Sequence, residues 1–260
     1  MNTINTFLEK IAQAKDLDFG NILSESIELF KKTWVQGFLM QLFTLIVLMP
    51  ILIVFYIPFI TMMIAQQNSG YGNTEAIDNF MAGITVVYVL LVSIGGVLLG
   101  TLSIAINAGF FRIMKKLDYG EVTTTSDFFY FFKMNYLTKL FLLLLATLGI
   151  SILAAVLCYL PIIYVMVPLS YFTLVFAFNP EFSVGDIVKT SFKLGNKKWL
   201  ITFGLILVAS LLSQIVGFLL CGIGLLITAP FVYHPTYLIY KHVVGFNEAH
   251  VIDEIGTSVE

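Results

Sequence analysis

Long uncharged stretches dominate this chain. No Asp, Glu, Lys or Arg occurs between Lys139 and Glu181. That leaves room for two membrane crossings, because one crossing helix needs about 20 apolar residues. Only 12% of the residues are charged and 58% are hydrophobic, whereas soluble domains carry about 25% charged residues. The mean hydropathy is +0.93. The sequence therefore predicts an all-α, polytopic membrane protein.

The chain also contains an internal repeat. Residues 187–200 read IVKTSFKLGNKKWL and residues 22–35 read ILSESIELFKKTWV, with five of fourteen positions identical and no gap. Ordinary residue frequencies would give about one identity. A weaker copy, TTSDFFYFFKMNYL, occupies residues 124–137. Each copy precedes a long apolar run. The pattern predicts three parallel repeats of one unit, an amphipathic interfacial helix followed by a transmembrane hairpin.

These repeats divide a single membrane domain, residues 1–260. We expect repeat 1 over residues 18–113, repeat 2 over 121–180 and repeat 3 over 182–243. Two crossings in each repeat give six transmembrane helices. Residues 244–260 contain four acids and no Lys or Arg, and we expect them to form a mobile acidic tail.

The two closest copies sort into an apolar and a basic face at 100° per residue. In the last copy Ile187, Ser191 and Leu194 share one face, and the lysines lie opposite. Such a helix either packs on its own hairpin or lies in the membrane interface, where lysines attract anionic lipid headgroups. Both interpretations remain open at this point. The candidate headgroup contacts are Lys31, Lys32, Lys189, Lys193 and Lys197.

The basic residues are segregated along the chain. All fourteen lie in four places: Lys10 to Lys32, Arg112 to Lys139, Lys189 to Lys198, and Lys241. Residues 66–79, between the first two apolar runs, contain none. Because cytoplasmic loops are enriched in Lys and Arg, we expect both termini and the repeat junctions in the cytoplasm. The protein is then a multi-pass protein of the cell membrane.

The six predicted crossings hold no Asp, Glu, Lys or Arg away from their ends, whereas pumps and proton-coupled transporters place such groups within the membrane. The polar candidates that remain are Asn107, Gln214 and His234. Each is more often a hydrogen-bond partner between helices than a catalyst. The three histidines are spaced eight residues apart, about 12 Å along a helix, and so cannot share one metal ion. We expect no catalytic residue, cofactor or metal, and hence no enzyme.

Two further spacings suggest contacts between helices. Cys158 follows Tyr136 by 22 residues and Cys221 follows Trp199 by 22, so both thiols should lie at the outer tips of neighbouring hairpins. A disulfide between them is allowed there, and the alternative is that both cysteines are small apolar fillers. Gly96 and Gly100 form a GxxxG pair that allows close helix approach. Packing within the chain is its favoured use over a dimer interface.

The segments quoted above resemble a known group. A KKxW-like cluster before two apolar helices, and the passage FNPEFSVGDIVKTSFKLGNKKW over residues 178–199, are similar to the six-helix membrane domain of bacterial glycerophosphodiester phosphodiesterases and to related stand-alone bacterial membrane proteins. The resemblance covers almost the whole chain. The hydrolase domain of the fused proteins is missing from these residues, so the resemblance supplies no catalytic residue.

These observations favour a non-enzymatic membrane protein, a scaffold or a module that interacts with lipids or with another protein. Its expected partners are membrane lipids with anionic headgroups and an unidentified protein, with no nucleic acid. The alternative is a transporter or channel for a small or lipidic solute. A continuous hydrated cavity lined by Asn107, Gln214 or His234 would favour transport. A closed apolar bundle with exposed cytoplasmic lysines would favour the scaffold.

The charge pattern makes a topological prediction. Reporter domains fused after Asn68 and at Glu260 should be found on opposite sides of the membrane, because the first site lies in the loop without bases and the second follows the last basic junction. Compartment-specific reporter activity measures this directly. Both reporters in the same compartment would contradict the topology.

Overall fold

The computed structural model of the chain describes residues 4–69, 78, 81–82, 86–157, 160–220 and 222–246, and this part is helical with no strand. Ten α-helices are described, with 3₁₀ helices at Thr125–Phe129 and Ala229–Val232. The α-helices, numbered in chain order, are α1 Ile4–Ala12, α2 Phe19–Ser69, α3 Val86–Asp118, α4 Met134–Val156, α5 Leu160–Ser170, α6 Phe172–Phe178, α7 Val184–Lys197, α8 Trp199–Leu219, α9 Leu225–Thr228 and α10 Tyr233–Val243.

Five described helices are long and apolar enough to cross a membrane. They cover Phe19–Ile64, Val86–Asp118, Met134–Val156, Leu160–Phe178 and Trp199–Leu219. The sixth predicted crossing is divided into α9, a 3₁₀ helix and α10. Pro230 and Pro235 lie in this stretch, and a proline removes one backbone donor and clashes with the preceding turn. Residues 225–243 therefore do not form one long helix.

The three repeat copies adopt three different structures. The first is the beginning of α2 and continues without a break into the apolar part of that helix. The last is α7, separated from α8 by Lys198 at φ −118° and ψ 29°. The middle copy is not the amphipathic helix that its sequence predicts. It forms a 3₁₀ helix at Thr125–Phe129, and helix resumes only at Met134.

Local hydrogen bonds explain the middle copy. The Asp127 carboxylate accepts from the Thr124 backbone N–H at 2.9 Å and from Lys116 Nζ at 2.7 Å. The first bond is part of a capping box that starts the 3₁₀ helix, and the second ties this helix to α3. Phe128 and Phe131 are both buried. Phe128 lies in the 3₁₀ helix and Phe131 in the turn that follows it, so this segment is anchored by two buried rings.

An aromatic cluster joins α1, α6 and α10 at the end of the bundle where the basic residues lie, here called the basic end. Phe178 packs on Phe246 with ring centroids 4.6 Å apart and on Tyr240 at 5.5 Å. Phe7 packs on Phe182 at 5.8 Å. Buried Asn179 donates to the Tyr240 hydroxyl at 2.8 Å. The core at this end is therefore closed by large side chains from both ends of the chain.

Two prolines inside crossing helices are matched by donors from a neighbouring helix. Pro168 in α5 has no N–H, which leaves the Tyr164 carbonyl without its helical donor, and the Trp199 indole donates to that carbonyl at 3.0 Å. Pro58 in α2 frees the Val54 carbonyl in the same way. Here the Tyr88 hydroxyl donates, 3.3 Å from the Val54 oxygen and 2.9 Å from that of Phe55. Both kinked helices thus remain hydrogen-bonded.

The glycines of α3 show where that helix is tightly packed. A Cβ built at Gly109 would lie 2.5 Å from the Phe128 carbonyl oxygen, and one at Gly100 would lie 3.4 Å from Leu144. A Cβ at Gly96 meets nothing within 4 Å. Of these three glycines, Gly109 has the closest neighbour, and it lies outside the predicted GxxxG pair. The 3₁₀ helix of the middle copy packs against Gly109.

This difference gives a matched pair of variants in one helix. Gly109→Ala should destabilise the protein by about 1–3 kcal/mol, because the methyl group must displace backbone. Gly96→Ala should be neutral or slightly stabilising, because alanine has the higher helix propensity. Thermal unfolding of both variants in the same detergent measures the contrast. Equal melting temperatures would contradict the packing of Phe128 on α3.

Candidate functional site

The five lysines predicted to contact headgroups are all exposed. On α7, Lys189, Lys193 and Lys197 follow one face, while Ile187 and Leu194 are buried on the other. On α2, Lys31 and Lys32 are also exposed, and Lys31 pairs with Glu28 at 2.6 Å. The bundle fixes α7 through its apolar face. Its lysine stripe, defined as Lys189, Lys193 and Lys197, faces outward.

Three other lysines bind backbone carbonyls at chain turns. Lys139 donates to the carbonyls of Pro180 and Phe182 at 2.6 and 3.0 Å. Lys10 donates to the Val244 carbonyl, just after the end of α10, at a distance of 2.9 Å. Lys198, only 4% exposed, donates to the Lys15 carbonyl. These lysines act as structural caps, a role that sequence reasoning missed because the partners are 41 to 234 residues away.

The pKa of Lys198 is lower than that of an ordinary lysine. Burial lowers the pKa of its ammonium group, and the Asp16 carboxylate, 3.8 Å from Nζ, opposes that shift. The nearby charge of Lys197 lowers it further. The break between α7 and α8 thus places one lysine inside the protein and its neighbour outside.

Two carboxylates hold the basic end together. Asp118, at the end of α3, accepts from Lys241 Nζ at 2.7 Å and from the Tyr237 hydroxyl at 2.9 Å. Burial would raise the pKa of Asp127, but its bonds from Lys116 and Thr124 outweigh burial and lower that pKa. Arg112 lies over the Tyr130 ring, 3.7 Å from its centroid. The charges near the repeat junctions are therefore largely engaged with one another.

His234 is fully buried between α2 and α10. Its Nδ1 lies 3.1 Å from the Pro230 carbonyl oxygen and 3.2 Å from that of Phe231. The Phe231 carbonyl has no donor four residues on, because Pro235 has no N–H, and besides His234 it is reached by the Tyr233 backbone N–H. Two acceptors at Nδ1 assign the proton to that nitrogen. Nε2 then faces the Thr33 hydroxyl, 2.7 Å away, whose single proton is shared with the Leu29 carbonyl at 3.0 Å, so both ring nitrogens have partners.

The other two polar candidates do not join His234. Asn107 donates from Nδ2 to the Ser103 carbonyl of its own helix at 3.0 Å. Its buried Oδ1 has no partner among the described residues. Gln214 is exposed on α8. The structure therefore does not bring the three predicted intramembrane polar residues together in one site.

A cleft between α2 and α3 was not predicted from the sequence. Its volume is about 540 Å³. The lining is apolar and aromatic apart from three hydroxyl groups, those of Tyr56, Tyr88 and Ser93, and its other members are Phe55, Pro58, Phe59, Val89 and Val92. The signal in the sequence is the length of the first hairpin, whose apolar runs exceed the 20 residues that a crossing needs.

Within the described residues, no three His, Cys, Asp or Glu side chains are grouped so as to hold a metal ion. The predicted disulfide between Cys158 and Cys221 lies outside the described residues, as does the predicted tail from residue 247 onward. No protein-family model, curated protein or solved structure matches this chain.

The bonds of His234 predict a structural effect. His234→Phe should destabilise the protein by about 1–3 kcal/mol, because it keeps the ring but leaves the Phe231 carbonyl and the Thr33 hydroxyl without this partner. His242→Phe is the control, since that side chain is 37% exposed and pairs with Glu25. Thermal unfolding in detergent compares the two variants. A His234 variant as stable as the His242 variant would contradict the structural role.

Proposed function

We propose that this protein is a non-enzymatic membrane module that contacts anionic lipid headgroups through the lysine stripe of α7. The observation that carries the proposal is the division among its lysines. Lys10, Lys139 and Lys198 are bound to backbone carbonyls, whereas Lys189, Lys193 and Lys197 are exposed in a row on one fixed helix. A rigid row of exposed ammonium groups suits a negatively charged surface.

Each lysine contributes only a small binding free energy, and the contributions of several lysines add together. Each lysine near an anionic membrane surface contributes about 1 kcal/mol at most, so the three lysines of the stripe would supply a few kcal/mol. Because the apolar face of α7 is buried on the bundle, little ordering of the helix itself opposes binding. Salt should weaken the contact, since charges separated by more than about 10 Å are screened at 0.1 M.

The internal polar groups support this function over transport. His234 has its ring nitrogens bonded inside the protein, and Gln214 is exposed away from it. The described cleft is lined by apolar and aromatic residues. A transporter for a polar solute would need polar groups around a shared, hydrated cavity. In the part of the chain that the structure describes, no such polar cavity favours transport of a polar solute.

The proposal includes the membrane topology. Residues 225–243 cross the membrane a sixth time as three consecutive short helices. Both termini then lie on the cytoplasmic side of the cell membrane, which is also the side of the lysine stripe. The three hairpins are parallel repeats related about an axis along the membrane normal. The resemblance to the membrane domain of glycerophosphodiester phosphodiesterases, a domain fused to another functional unit, supports a second partner, an unidentified protein.

The lysine stripe can be tested with two triple variants. Replacing Lys189, Lys193 and Lys197 by Gln should leave membrane insertion intact and reduce anionic lipid co-purified in mild detergent, because three positive charges are lost. Replacing the same three by Arg keeps the charges and should retain the lipid. Lipid mass spectrometry measures the ratio of anionic to zwitterionic lipid.

Two outcomes of this comparison would contradict the proposed lipid contact. Equal retention by the Gln and Arg variants would rule out a charge-dependent contact at α7. Loss of lipid in both variants would show that the stripe acts through side-chain shape, and would also contradict the proposal.

A further inference from the structure

We propose that the cleft between α2 and α3 binds one acyl chain of a membrane lipid, in the leaflet remote from the basic end. This binding does not depend on the lysine stripe. The cleft has a volume of about 540 Å³, within the roughly 300–1,000 Å³ of sites for small molecules. Its occupant is identified by the chemistry of the lining and by its position along the hairpin.

The lining offers a ligand few polar groups, namely the hydroxyls of Tyr56, Tyr88 and Ser93. The Tyr88 hydroxyl, which has a single proton to donate, lies against the carbonyls of Val54 and Phe55. The lining contains no charged side chain, so a polar ligand would lose its hydration without compensation. A hydrocarbon chain has no such cost. The chemistry of the cleft therefore selects an apolar, flexible occupant.

The cleft also lies at the right distance for a lipid of the far leaflet. Val92 is twenty residues before Arg112 in one helix, which corresponds to about 30 Å at 1.5 Å per residue. The same separation holds on α2 between Trp34 and Val54. A hydrocarbon core is about 30 Å thick. The cleft thus opens near the far hydrocarbon boundary, where acyl chains are tethered to their headgroups.

The cleft is continuous with the lipid-facing surface of the hairpin. Phe55 and Phe59 are 55% and 47% exposed, and Val89 is 49% exposed, so the lining residues themselves reach the membrane. Towards the basic end the helices close up, since a Cβ at Gly95 would lie 3.0 Å from Ile51 Cδ1. A chain that enters from the bilayer therefore ends against this contact.

Photolabelling with a phospholipid that carries a diazirine on its acyl chain tests this site in the purified full-length protein. Peptides with residues 55–59 and 88–93 should be labelled several-fold more than the exposed face of α8 around Ile215 and Phe218, which are 57% and 67% exposed. Val92→Trp, which fills the cleft, should abolish that excess. Leu98→Trp, at an exposed position outside the lining, should preserve it.

Several results would overturn the proposal. Equal labelling of the cleft and of α8 in the unmodified protein would show ordinary lipid contact only, and this comparison stands even if Val92→Trp does not insert. Excess labelling that persists in Val92→Trp would place the lipid elsewhere. Crosslinks between two copies through residues 55–59, in place of lipid adducts, would identify a second chain as the occupant.

Discussion

A backbone carbonyl inside a membrane must find a donor, because no water is present to replace a lost helical bond. Prolines in helices create such carbonyls, and near Pro58, Pro168 and Pro235 other side chains supply donors. The Trp199 indole donates to the Tyr164 carbonyl, and the Tyr88 hydroxyl lies 3.3 Å from the Val54 carbonyl oxygen. His234 serves the Phe231 carbonyl within its own segment. These three side chains thus lie at carbonyls whose i+4 donor a proline has removed.

The same requirement accounts for several polar residues that a functional search would otherwise single out. His234 is held by two carbonyls and a threonine, and Lys139 and Lys198 are held by carbonyls at turns. Each supplies a donor to a backbone carbonyl, and a carbonyl left unpaired in a buried place costs about 1–3 kcal/mol. The groups that remain exposed, above all the lysine stripe, are those that the fold does not need. That is why the proposed function rests on them.

The sequence predicted the helical class well, because composition and the length of the apolar runs determine it directly. Five of its crossings are single long stretches in the structure. The periodicity also places Ile22 and Ile187 on the apolar face, and both are buried. The middle copy was mispredicted because it packs on α3 through tertiary contacts, from Lys116 to Asp127 and between Gly109 and the Phe128 backbone, that its helical pattern does not display. The contacts of Lys10 and Lys139, and the cleft, depend on tertiary pairing that one sequence does not display.

A double-mutant cycle on Trp199 and Pro168 tests the central claim most directly. If the indole replaces the donor that Pro168 lacks, Trp199→Phe should cost about 1–3 kcal/mol more in the unmodified protein than in a Pro168→Ala background, where the alanine N–H can serve the Tyr164 carbonyl. The unfolding free energies of the four proteins in one detergent give this difference. Costs equal within about 0.5 kcal/mol would mean independent sites, and would contradict the account.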